Sequence, residues 1–68
     1  MKKTLSVGGM SCQHCVMHVR EALEGVPGVS KASVDLGRRS AVVEGEGFDD
    51  AALKVAVSEA GYEVLSIA

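Results

Sequence analysis

"TLSVGGMSCQHCVMHVREALEGVPG", residues 4–28, changes its periodicity once, and that change decides the fold. Leu5 and Val7 alternate with Thr4 and Ser6, the two-residue repeat of a strand with one buried face. Gly8 and Gly9 break the repeat. From Gln13 to about Gly25, Val16, Val19, Ala22 and Leu23 recur at helical spacing, and "GVPG", residues 25–28, stops the element with Gly and Pro. A strand therefore leads into an amphipathic helix, and the chain's only two cysteines, Cys12 and Cys15, lie in the junction.

Downstream, "KASVDL", residues 31–36, sets Ala32, Val34 and Leu36 on one side of a strand. "GRRS", residues 37–40, turns into a short strand carrying Ala41 and Val43, which makes a hairpin. Asp49 or Asp50 caps a second helix, whose Ala52, Leu53, Ala56, Val57 and Ala60 form an apolar stripe ended by Gly61. A last strand runs from Val64 to Ile67. The order β-α-β-β-α-β predicts an α+β, ferredoxin-like fold, a four-stranded antiparallel sheet with two helices on one face. Its topology gathers three loops at one end: the cysteine loop, the Gly37–Arg39 hairpin and the Gly61-Tyr62 connection.

Sixty-eight residues leave room for one domain, residues 1–68, and 47% hydrophobic against 24% charged residues makes it globular rather than disordered. A net charge of −2 gives no basic surface, so neither nucleic acid nor an anionic membrane is an expected partner. "MKKTLSVGGM" has too few apolar residues for a signal peptide or a membrane-inserted run, so a cytoplasmic location is expected. In that compartment a C-x-x-C pair points to metal binding or catalysis rather than a structural disulfide.

The start of a helix favours thiolates over thiols, because unpaired N–H groups and the helix dipole point at them. Spacing i, i+3 lets both sulfurs converge on one ion. Two soft sulfurs without further donors suit Cu(I), whereas zinc needs four ligands. The rival is a thioredoxin-like redox pair, but that fold is longer and uses a cis-proline beside the pair. Here the only proline, Pro27, lies beyond the far end of the helix.

Gly9-Met10-Ser11-Cys12-Gln13-His14-Cys15-Val16 resembles the G-M-x-C-x-x-C motif of heavy-metal-associated domains, and in a chain of this length "MSCQHC" is similar to bacterial copper chaperones of the CopZ type. The likeness runs the length of the chain: Val19 and Leu23 match the helix positions, Gly28-Val29 the start of the second strand, and Gly61-Tyr62 a loop facing the metal. It implies Cu(I) bound by Cys12 and Cys15 and passed to the metal-binding domain of a copper-transporting P-type ATPase. One departure stands out: "VEGEGF", residues 43–48, has glycines where the family carries an aromatic and an acidic residue, so a looser strand end is expected.

Around the cysteines, Met10 is a core filler rather than a thioether ligand, and Ser11 replaces an acidic residue that zinc or cadmium would use. His14 can tune the site or hold a second ion. His18, one turn beyond Cys15, is expected to be exposed, since Val16 and Val19 claim the buried face. With both cysteines the two histidines could assemble a zinc site. Tyr62 is placed to touch the site from the facing loop, and Met17 is a surface contact residue. Three classes of function follow: a Cu(I) carrier that is not an enzyme and can share copper between two copies; a zinc, cadmium or mercury carrier or buffer; and a thiol oxidoreductase. Arg38 and Arg39 should make the metal end basic, with Glu21, Glu24, Glu44, Glu46, Asp49 and Asp50 at the other end, diluted by Asp35, Glu59 and Glu63.

Overall fold

The computed structural model describes residues 1–68 and follows the predicted order: β1 (Lys2–Gly8), α1 (Gln13–Glu24), β2 (Val29–Asp35), β3 (Ser40–Gly45), α2 (Asp50–Glu59) and β4 (Glu63–Ile67). The four strands form one antiparallel sheet in the order β2-β3-β1-β4. Alternation along β1 buries Leu5 and Val7, and the register sets Leu5 opposite Ala41, which is itself fully buried. Val19 and Leu23 of α1 and Leu53 and Val57 of α2 close the same core. Each of these fully buried side chains contributes on the order of 1.5–3 kcal/mol by leaving water. Met10, Val26 and Phe48, all outside the regular elements, fill its ends.

Several boundaries differ from the sequence reading. β2 starts at Val29, two residues ahead of the apolar alternation and where the family likeness placed it, and a register shift lies between Val29 and Lys31 where it pairs with β3. Leu36 belongs to the hairpin turn and not to the strand, although it packs on the core. In β4 the register shifts opposite Ser6/Val7, with Ile67 opposite Leu5 and Val64 opposite Val7. Leu65 is the extra residue of that bulge; it stands out to solvent while Val64 and Ile67 both reach the core.

The loose strand end expected at "VEGEGF" is not found. Gly45 has φ +153° and Gly28 φ +97°, and the two stretches cross in contact, with Glu46 N–H donating to Gly28 C=O at 2.8 Å. A Cβ on Gly45 would overlap the Gly28 carbonyl oxygen and stand 2.8 Å from Ser30 N; one on Gly28 would overlap the Glu46 carbonyl oxygen. The glycines allow a tight crossing of backbones at the end of the molecule away from the cysteines.

The hairpin does lie at the cysteine end, where Val7 N–H donates to Arg39 C=O at 2.9 Å. The expected charge polarity is largely cancelled, because Lys2 and Lys3 begin β1 among the far-end acids and Lys3 Nζ sits 2.8 Å from Asp50 Oδ1. Arg20 lies 3.9 Å from Glu24 at that end, while Arg38 lies 4.0 Å from Asp35 at the cysteine end. Each end carries both signs.

Candidate metal centre

β1 delivers the chain upward to Gly8, and α1 carries it back down along the sheet, so residues 9–12 cap one end of the molecule. Met10 anchors this loop by inserting into the core, 4% exposed, which gives it a packing position. Cys12 is the N-cap residue of α1, in extended geometry with φ −156° and ψ 172°, and no side chain caps the helix. Its carbonyl accepts the first helical bond, from Val16 N–H at 3.2 Å. The opening N–H groups of α1 are left pointing at the cysteine loop.

The two sulfurs are 3.3 Å apart, Cys12 exposed and Cys15 half-buried, and both are free thiols. Cys15 is held at about 6, far below its ordinary 9.0, first by hydrogen bonding from the Ser11 backbone and then by the Tyr62 hydroxyl and the Cys12 thiol; desolvation opposes them. Tyr62 is raised in turn, chiefly by the polar interaction of its hydroxyl with Cys15, and also because it is desolvated and faces the charge of both cysteines. The Tyr62 effect is that of a close polar neighbour: the side-chain hydrogen bond formed at the site is the one between the two sulfurs. The ring reaches this position because β4 begins beside Gly8, and a Cβ on Gly9 would stand 3.6 Å from Tyr62 Cδ1.

Ser11 is exposed and meets the site through its backbone. The other candidates, His14, Met17 and His18, are exposed and lie apart. No group of three His, Cys, Asp or Glu side chains converges anywhere in the molecule, so the four-residue zinc site of Cys12, Cys15, His14 and His18 is not assembled. The reason is helical phase: Cys15 leans toward Tyr62 and the core edge, whereas both histidines project to solvent. The structure offers a pair of thiols, one activated, at an exposed end, with a tyrosine beside them.

Residues 4–63 match the heavy-metal-associated domain family. The chain is 41% identical over 68 residues to the copper chaperone CopZ of Enterococcus hirae, covering 93% of this chain and 94% of that one. It is 46% identical over 59 residues to copper-transporting ATPase 1 of Rhizobium meliloti, covering 85% of this chain but 7% of the ATPase. Among solved structures, oxidized MerP from Ralstonia metallidurans CH34 superimposes with a TM-score of 0.91 at 38% identity, over 98% of this chain and 94% of that one.

Proposed function

The chain belongs to the heavy-metal-associated domain family, and from that premise we propose that it is a cytoplasmic Cu(I) carrier that takes copper on Cys12 and Cys15 and hands it to the metal-binding domain of a copper-transporting P-type ATPase. The observation that carries this reading is the donor set: two sulfurs at one end with no third ligating side chain converging on them. Such a site is poor in donors for zinc and suited to a soft ion content with two thiolates.

Transfer follows from exposure. At a metal–sulfur bond of about 2.3 Å, an ion held in line between two sulfurs needs them about 4.6 Å apart. The apo separation of 3.3 Å therefore has to widen, and the exposed, uncapped Cys12 is the residue free to move. An incoming thiolate from the acceptor's own C-x-x-C would add to the ion and displace Cys12, Cys15 would hold it through the three-sulfur stage, and Cys15 would leave in turn when the acceptor's second thiolate binds, so the ion is never free. Two copies of the chain can share copper by the same geometry. The domain acts as a binding unit and not as an enzyme.

A second reading, mercury carriage, is favoured by the likeness to the mercuric transport protein periplasmic component of Salmonella typhi, since mercury is, like Cu(I), a soft ion. Anaerobic competition decides between them. The copper reading expects one Cu(I) per chain retained against a strong Cu(I) chelator and handed to an isolated C-x-x-C domain. Release of Cu(I) to the chelator with retention of Hg(II) would leave mercury as the cargo, and disulfide turnover would make the pair a redox centre.

A further inference from the structure

The chain has two histidines, and both lie on α1, four residues apart, at positions 14 and 18. On a helix of 3.6 residues per turn they project within about 40° of one another, on neighbouring turns, with their Cβ atoms about 5–6 Å apart. The buried stripe of the same helix, Val19 and Leu23, points about 140–180° away from His14. Both imidazoles are exposed, and neither makes a hydrogen bond or an ion pair. Their lone pairs are free, and the helix backbone fixes the two anchor points.

We propose that His14 and His18 form a second metal site on the solvent face of α1, for a divalent cation of the borderline class, with Cu(II) the best fit. Two histidines at i, i+4 on one helix face are the geometry by which helices hold such ions. Imidazole nitrogens suit Cu(II), Ni(II) and Zn(II), and Cu(II) heads the affinity order for nitrogen and oxygen donors. No third ligating side chain approaches, so the remaining positions face water, which a tetragonal Cu(II) centre accepts more readily than a structural zinc site does. The site differs from the thiol pair in donor chemistry, and because His18 stands three residues from Cys15 on the same helix its test is made with the thiols removed. It does not rest on the Cu(I) reading: the sulfurs select a soft ion, the imidazoles a harder one.

The test removes the thiols and keeps the helix. Cys12→Ser with Cys15→Ser is titrated with Cu(II) chloride, and as a second sample the wild-type chain is first oxidised with diamide to join its cysteines. The expected result in both is one Cu(II) per chain, with the electron paramagnetic resonance signature of two nitrogen ligands. Since loss of a mere outer-shell partner costs 10–100-fold in metal affinity, His18→Gln or His14→Gln should weaken Cu(II) binding by at least about tenfold and remove the two-nitrogen signature. The bound ion should also raise the melting temperature of the parent and not of the histidine variants. Equal affinity and an unchanged spectrum after His18→Gln would overturn the proposal, as would the absence of a two-nitrogen signal in both samples.

Discussion

The two helices begin on opposite chemistry at opposite ends of the molecule. α2 starts on Asp49, whose carboxylate accepts from Ala52 N–H at 2.8 Å, with Asp50 in the first turn and Lys3 2.8 Å from it. α1 starts on Cys12, with no side-chain cap and no acid in its first turn. One N-terminus is satisfied by the protein's own groups, and the other keeps its donors and its dipole for whatever charge gathers on the sulfurs. The Asp49 end therefore uses its polar groups for folding, whereas the cysteine end keeps its donors for a ligand.

The widest separation between the ends should come from Cys12→Ser with Cys15→Ser. Anaerobic titration should show the loss of tight Cu(I) binding, while circular dichroism shows the apo fold retained, since neither cysteine is among the fully buried core residues. An unfolded apo variant would mean that the cysteine end also carries structure.

The converse substitution is Gly45→Val at the other end. A side chain there meets the Gly28 carbonyl oxygen at a φ of +153°, so a loss of at least about 2 kcal/mol is expected in urea unfolding. A midpoint equal to that of the parent would show that the crossing can relax.

At the helix starts the contrast narrows to single bonds. Asp49→Ala should cost about 1 kcal/mol, whereas Cys12→Ala in the metal-free chain should stay within about 0.5 kcal/mol. Equal costs would erase the difference between a cap used for folding and one reserved for a ligand.

The pH dependence is subtler and belongs to the cysteine end alone. With Cys15 held at about 6 against an ordinary 9.0, the folded chain releases its proton earlier than the unfolded one. This contribution is fully present above pH 9 and is lost as pH falls through about 6, so apo melting temperatures should climb across that window. Iodoacetamide should trap Cys15 with an inflexion near pH 6, displaced upward in Tyr62→Phe. An unmoved inflexion would remove Tyr62 from the site's electrostatics.

The smallest effect is expected from the hairpin. Arg38→Glu with Arg39→Glu should slow copper transfer to an acidic acceptor by only about two- to threefold at low salt, because Asp35 already faces Arg38 and each end carries both signs. A tenfold loss would restore the hairpin as a docking element.

Much of this was legible in the sequence wherever a side chain repeats with its element. Leu5 and Val7, Val19 and Leu23, and Leu53 and Val57 announce strand and helices by spacing alone, and Cys12 and Cys15 announce a site by chemistry and position. Phe48 and Val26 escaped because they reach the core from loops, where no period flags them. The glycine crossing escaped because its cause is a contact between two backbones 17 residues apart, which leaves no trace in either stretch read singly. The polarity expectation failed by omission: Lys2 and Lys3 are neighbours of the acids only once β1 is laid beside β3 and α2. Tyr62 was placed by the predicted topology and by family likeness, not by any period.

The bulge at Leu65 sets a distance. Counting back from Ile67 opposite Leu5, the one residue without a partner in β1 brings Glu63 opposite Gly8 and leaves Tyr62 level with the cysteine loop. Were Leu65 paired with Val7 instead of bulged out, each position from Val64 back would slide by one, about 3.3 Å along the strand. Every side chain among them would change face. The tyrosine would overshoot the sulfurs and turn away from them. A single unpaired leucine in the last strand thus sets where the Tyr62 hydroxyl meets the cysteine loop, and the tuning of Cys15 is written partly in the register of β4.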